Sequence, residues 1–132
     1  MSVLDASLVV EALVGVGDLG DAARVRLRQE SVPAAPQIMK AEALSALRSM
    51  TLRGDVAEHR ARSAIDRLRR FSVTPYPIEP MMGRVWELRS TVSVYDAWYV
   101  VLAERLSTTL VTTDHRLAAA NGPRCETELV SP

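Results

Sequence analysis

The chain has 132 residues, of which 16 are basic and 16 acidic, so its formal net charge is zero, and 48% of it is apolar. That length suits one domain, spanning 1–132, with a single core, and the apolar share excludes a disordered body. A neutral chain casts no strong overall field toward nucleic acid or membrane. Lys40 is the only lysine, so the other 15 of the 16 basic residues are arginines, whose forked guanidinium suits phosphate and carboxylate. Cys125 is the only cysteine, which excludes an internal disulfide and a Cys-rich zinc site. The opening "MSVLDASLVV" has no basic leader and carries Asp5 inside its apolar run. It does not read as a signal peptide, and no segment reads as a membrane span, so a soluble cytoplasmic protein is expected.

In chain order, "SVLD" reads as a short strand ending in an acid. "SLVVEALVG" follows at helical period, with Ser7 or Asp5 near its N-cap and Gly15 placed for a left-handed C-cap. "GVGDLG" matches the dinucleotide fingerprint G-x-G-x-x-G, but that motif needs a strand before it and a helix after it. Here a helix precedes it, so it reads as a helix–helix loop with no dinucleotide bound. "DAARVRLRQE" is a second amphipathic helix and "SVPAAPQ" a strand candidate. "PQIMKAEALSALRSMTLRG" predicts a long helix with Pro36 in its first turn, Gly54 at its end, and Leu44, Leu47 and Thr51 on one face. "DVAEHRARSAIDRLRRF" predicts another, burying Ala57, Ala61, Ile65 and Leu68. "SVTPYPI" is a proline-bearing edge strand, and "EPMMGRVWELR" and "YDAWYVVLAERL" are helices. "TTLVTTD" is a buried strand ending in an acid, "HRLAAAN" a short helix and "CETELV" a last strand. Trp86, Trp98, Tyr95 and Tyr99 are expected in the core or a dimer contact, and His59 and His115 lack metal or acid–base spacing.

Strands alternating with helices imply an α/β fold, a parallel sheet covered on both faces. Right-handed crossovers put every strand C-terminus on one edge, where ligands bind. Asp5 and Asp114 end strands and would meet there. Asp96 and Glu42 interrupt apolar or small-residue stretches of helices. Each alone could be a helix cap or an exposed acid. Together, converging carboxylates repel unless a cation binds, and all-oxygen donors suit Mg²⁺ or Mn²⁺. Such an ion serves phosphodiester hydrolysis.

Four blocks carry a resemblance: "VLDAS" at 3–7, "AEALSALR" at 41–48, "VYDAWYVVLAERL" at 94–106 and "LVTTDHRL" at 110–117. In order and spacing the chain resembles the PIN-domain ribonucleases, and among them the VapC-type toxins of bacterial toxin–antitoxin pairs. The resemblance implies a three-layer domain around a parallel sheet of four to five short strands. It implies a Mg²⁺-dependent (or Mn²⁺-dependent) endoribonuclease acting on structured RNA, tRNA or rRNA, that leaves 5′-phosphate and 3′-hydroxyl ends. It also implies a homodimer, inhibited by a small cognate antitoxin. On it, Asp5, Asp96 and Asp114 hold the metal, directly or through water. Glu42 ligates the ion or orients the attacking water, and Ser7 and Thr112 hydrogen-bond the carboxylates. Lys40, just before the helix acid, departs from the family pattern; it would face solvent or touch RNA. Arg48, Arg89 and Arg116 lie near the acidic blocks as candidates for RNA phosphate, while the arginines of 53–70 read as a solvated face or an RNA guide.

Two rivals stand beside this reading. One is a catalytically inactive PIN-like module that binds RNA or protein, against which the four intact acids argue. The other is a phospho-acceptor receiver domain, which needs an acidic pair after its first strand and a late lysine; Asp5 stands alone and no lysine follows Lys40.

Overall fold

The computed structural model describes residues 1–132. Its elements run β1 (Ser2–Leu4), α1 (Ala6–Val14), α2 (Gly17–Arg28), β2 (Pro33–Pro36), α3 (Met39–Leu52), α4 (Glu58–Arg70) and β3 (Thr74–Tyr76). A 3₁₀ turn at Glu79–Met81 then leads into α5 (Met82–Glu87), α6 (Val94–Leu106), β4 (Thr109–Thr112), α7 (His115–Ala118) and β5 (Thr127–Leu129). The strands form one sheet in the order β3-β2-β1-β4-β5, every pair parallel. No helix is long and apolar enough to cross a membrane.

The strand order explains the layers. From β1 the chain steps outward through β2 to β3, then returns across the sheet to β4 and steps outward the other way to β5. Right-handed crossovers place α1–α4 on one face and α5–α7 on the other. The direction of travel changes between β1 and β4, which is the topological switch point where parallel sheets open a crevice. The core fills both sides of these two strands. Val3, Leu4, Leu110 and Val111 are fully buried between Leu8 and Val9 of α1 and Val100, Val101 and Leu102 of α6. Every residue of α6 from Ala97 to Ala103 is buried, so the middle of this helix is a core element with no solvent stripe.

Several expectations change. Gly15 is not left-handed: it has φ −63° and ψ 143°. The last carbonyls of α1 are satisfied instead by arginines. Arg24 donates to Gly15 O at 2.9 Å and Ala12 O at 3.4 Å, Arg67 to Leu13 O at 2.9 Å and Arg60 to Val14 O at 2.8 Å. These cations also suit the negative end of the helix dipole. The helix–helix loop is only Gly15–Val16, because α2 opens at Gly17. A Cβ on Gly20 would lie 2.5 Å from the Gly15 backbone, so Gly20 serves close packing of α2 on the end of α1, whereas Gly17 has open space around it and takes a positive φ of 73°.

Pro36 ends β2 rather than opening a helix, and α3 begins at Met39. A fixed φ near −65° serves either place, and pairing with β1 and β3 decides it. On α3, Leu47 is buried but Leu44 is 47% exposed. On α4, Ala61, Ala64 and Leu68 are buried, whereas Ala57 and Ile65 are exposed. The buried stripe follows the small residues that let α4 approach its neighbours.

The carboxylate edge of the sheet

Asp5 directly follows β1. Its N–H donates to Val111 O at 2.9 Å, which extends the β1/β4 ladder one residue and fixes the side chain at the switch point. Asp5 occupies the N-cap position of α1 but makes no capping bond with its side chain. Its Oδ2 accepts instead from Ser7 Oγ and from Thr112 Oγ1, each at 2.7 Å. Ser7 Oγ also accepts from Thr113 N at 3.2 Å, and Thr112 Oγ1 from Asp114 N at 3.0 Å. The two hydroxyls therefore tie the end of β1 to the end of β4 through one buried carboxylate.

The other three acids also stand at helix N-termini. Glu42 is in the first turn of α3, Asp96 in the first turn of α6, and Asp114 is the N-cap of α7. Glu42 Oε1 accepts from Tyr99 Oη. Asp114 Oδ1 accepts from Arg116 N at 2.9 Å and Leu117 N at 3.4 Å, so this acid does cap its helix. The Asp96 backbone N–H donates to Ser93 Oγ at 3.2 Å. At Asp5, Glu42 and Asp114 one carboxylate oxygen is held by the protein and the other has no protein donor. The Asp96 carboxylate has the Ser93 side chain beside it, which favours its ionised form.

The acids sense one another. Burial pushes Asp5 above the usual aspartate value; the Thr112 and Ser7 bonds oppose that, and the charges of Asp96 and Asp114 add to it. Burial likewise raises Glu42, opposed by Tyr99 and reinforced by Asp5 and Asp96. Asp96 is raised by burial, with Ser93 opposing, Asp114 reinforcing and the Arg116 cation opposing. Burial and the Glu42 charge push the Tyr99 hydroxyl far up, so it stays a donor. No group of three or more His, Cys, Asp and Glu side chains stands close enough to hold a metal ion unaided. The donor set nevertheless fits a hard divalent cation: oxygens only, with several free of protein donors and ringed by like charge.

Tyr99 lies in the core as expected, and its link to Glu42 is what the sequence reading did not show. It is 1% exposed, yet its hydroxyl serves Glu42. The signal was available: Asp96 and Tyr99 are three apart on α6 and share a face. Trp98 is buried as expected, whereas Trp86 and Tyr95 are each 63% exposed and are not core residues.

Of the basic candidates, only Arg116 reaches the acids. It lines a cleft of about 300 Å³ with Asp96 and Asp114. Lys40 Nζ donates to Phe71 O at 2.9 Å and Arg69 O at 3.2 Å, capping the end of α4. Arg89 stacks on Trp86 with its guanidinium 4.8 Å from the ring centre and donates to Trp86 O. Arg48 lines a separate groove between α3 and α4. The arginines of 53–70 are engaged as well. Beyond Arg60 and Arg67 on α1, Arg53 pairs with Asp55, Arg62 with Glu58, and Arg69 and Arg70 with Asp66.

A parallel sheet with an acid after β1, an acid after β4 and two more on the flanking helices defines the PIN-domain class. The PIN-domain family model matches residues 2–123, and the chain belongs to this family. Among relatives, it is 43% identical to Ribonuclease VapC1 of Mycobacterium tuberculosis, over 97% of this chain and 96% of that one. It is 36% identical to Ribonuclease VapC9 of the same organism, over 98% of each. Its fold is similar to the crystal structure of Mycobacterium tuberculosis VapC20, a Sarcin-Ricin loop cleaving toxin, with a TM-score of 0.71 at 14% identity over 90% of this chain and 94% of that one. It also resembles FitAcB of Neisseria gonorrhoeae, with a TM-score of 0.65 at 16% identity, over 89% of this chain and 90% of that one.

Proposed function

We propose that the chain is a divalent-metal-dependent endoribonuclease, the toxin of a toxin–antitoxin pair, and that Mg²⁺ or Mn²⁺ is its ion. The observation that carries this is the buried Asp5, fixed by Ser7 and Thr112 at the β1/β4 switch point among three further acids, in a chain 43% identical to a ribonuclease over nearly its whole length. Asp5, Asp96 and Asp114 hold the ion, in part through water. When bound, such an ion neutralises charge on the phosphate and makes a water more acidic. Glu42, with Oε1 fixed by Tyr99, keeps Oε2 to orient the attacking water and accept its proton. A carboxylate whose pKa is raised by burial suits that task. Ser7 and Thr112 hold the Asp5 carboxylate in place, an outer role whose loss costs roughly 10–100-fold in metal affinity or activity. Arg116, beside Asp96 and Asp114, contacts a phosphate of the RNA. A small antitoxin inhibits the chain by covering this edge, and the chain works as a homodimer in the cytoplasm.

The test is to incubate the purified protein with tRNA and ribosomal RNA in Mg²⁺, Mn²⁺ or EDTA, and to map new ends and melting temperature together. Cleavage with 5′-phosphate ends is expected in either metal and none in EDTA. At a hundredfold excess over Kd each ion should add about 2.7 kcal/mol of stability, roughly several degrees in Tm. A melting curve indifferent to both ions, in a protein that still cuts RNA in EDTA, overturns the metal mechanism. Metal binding with no cleavage of any RNA returns the chain to the inactive-module reading.

A further inference from the structure

We infer that Tyr95 is a base-stacking platform for the nucleotide next to the scissile phosphate; this rests on the ribonuclease reading above. Tyr95 is the second residue of α6 and precedes Asp96. Its side chain is exposed, and no hydrogen bond ties it down. It forms one wall of a cleft of about 540 Å³ whose other lining residues are Ile38, Ala41, Glu42 and Ser45. One end of that cleft is a carboxylate of the candidate site, and its aromatic wall is covalently next to another. An RNA bound for cleavage at these acids would lie across this cleft. An aromatic ring facing Ile38 and Ala41 makes a flat apolar slot, and Ser45 adds a hydroxyl at its rim.

The electrostatics of the chain favour the same occupant. Carboxylates repel an RNA backbone, the net charge is zero, and most arginines of the basic helix are already paired or bonded. Long-range attraction to phosphate is weak, so affinity must come from the other surface that RNA offers, the faces of its bases. Stacking tolerates any sequence but requires a base that is out of a helix. A loop, bulge or splayed nucleotide meets that requirement, and an uninterrupted duplex does not.

The test uses the full chain in Ca²⁺, with short RNA hairpins carrying 2-aminopurine at successive loop positions and fluorescence as the readout. One position should be quenched on binding. Tyr95→Ala should abolish that quenching and weaken binding about 5- to 150-fold, and Tyr95→Trp should preserve both. Removing the base at that position should make Tyr95→Ala silent. Quenching unaffected by Tyr95→Ala overturns the inference. So does a shift from dimer to monomer on Tyr95→Ala, because the ring is then a subunit contact. Quenching that depends on Tyr95 in a protein that cuts no RNA in Mg²⁺ or Mn²⁺ keeps the stacking site and removes the ribonuclease reading instead.

Discussion

The two ends of the sheet use the same side chains to opposite effect. At the carboxyl end Asp5, Glu42 and Asp96 are half-buried or buried among one another, and each is held above its ordinary pKa. At the amino end Glu30 and Glu104 are also partly buried, yet each is held below its ordinary value. The difference lies in what faces them. Arg26 pairs with Glu30 at 3.3 Å and with Glu128 at 2.7 Å, and its guanidinium reaches Ser2 Oγ. Arg84 takes Glu104 with two parallel bonds, at 3.0 and 3.1 Å. Only Arg116 stands near the carboxyl-end acids, and only Asp96 feels it as a favourable cation. One end of the sheet is neutralised from within; the other keeps its carboxylates with few cations facing them.

Breaking the carboxyl end gives the largest effect. Asp5→Asn and Asp96→Asn should each lower RNA cleavage by more than about a hundredfold, beyond the cost of losing an outer partner. In EDTA neither should melt below wild type, because a mutually repelling charge has been removed. Cleavage at the wild-type rate by either purified variant would remove that residue from the site.

Breaking the amino end reverses the pattern. Arg84→Met leaves Glu104 without its forked partner and should cost about 1–3 kcal/mol of stability, the range for a charge-assisted hydrogen bond or an uncompensated polar group. The turnover of the folded fraction should not change. Urea unfolding with a parallel cleavage assay checks both, and a variant that unfolds normally but fails to cleave would show that the ends are not independent.

The smallest effect sharpens the comparison by its sign. In the metal-free protein, the raised acids at the carboxyl end contribute stability at low pH. That contribution is lost as pH climbs from their ordinary values of 3.8 and 4.5 through the raised ones. The lowered glutamates at the amino end contribute stability above 4.5, which is lost as pH falls through their lowered values. Asp5→Asn should therefore flatten the stability loss on the rising side and Glu104→Gln the loss on the acid side. Identical changes in the two unfolding-versus-pH profiles would contradict the assignment of opposite environments.

Much of this layout was legible in the sequence, and the exceptions share a cause. Asp5 and Asp114 stand out because each closes a short apolar strand, and parallel pairing then puts them on one edge. Ser7 and Thr112 came from the family pattern rather than from any periodicity. What escaped were features that depend on a partner distant in sequence. Pro36 fits a helix start as well as a strand end until β1 and β3 flank it. Ala64 carries too little apolar signal to announce a close helix contact, so Ile65 looks like the better core residue. Gly15 looks like a left-handed cap because nothing nearby reveals that Arg24, Arg60 and Arg67 reach its helix end. Tyr95 and Tyr99 are one residue type on one helix, and only the tertiary fold separates a solvent-facing ring from one bonded to Glu42.

The bond from Thr112 to Asp5 joins residues 107 positions apart. β1, at the middle of the sheet, must wait for β4 to arrive on its other side. Contacts of such separation form late, after their loop-closure entropy has been met. During synthesis the amino-terminal part of the chain emerges first. It carries Asp5 and Glu42 but lacks Thr112 and Asp114, so Asp5 Oδ2 has lost one of its two donors and β1 has one bare side. The candidate site is therefore assembled only when β4 docks beside β1, late in the order in which the chain is made.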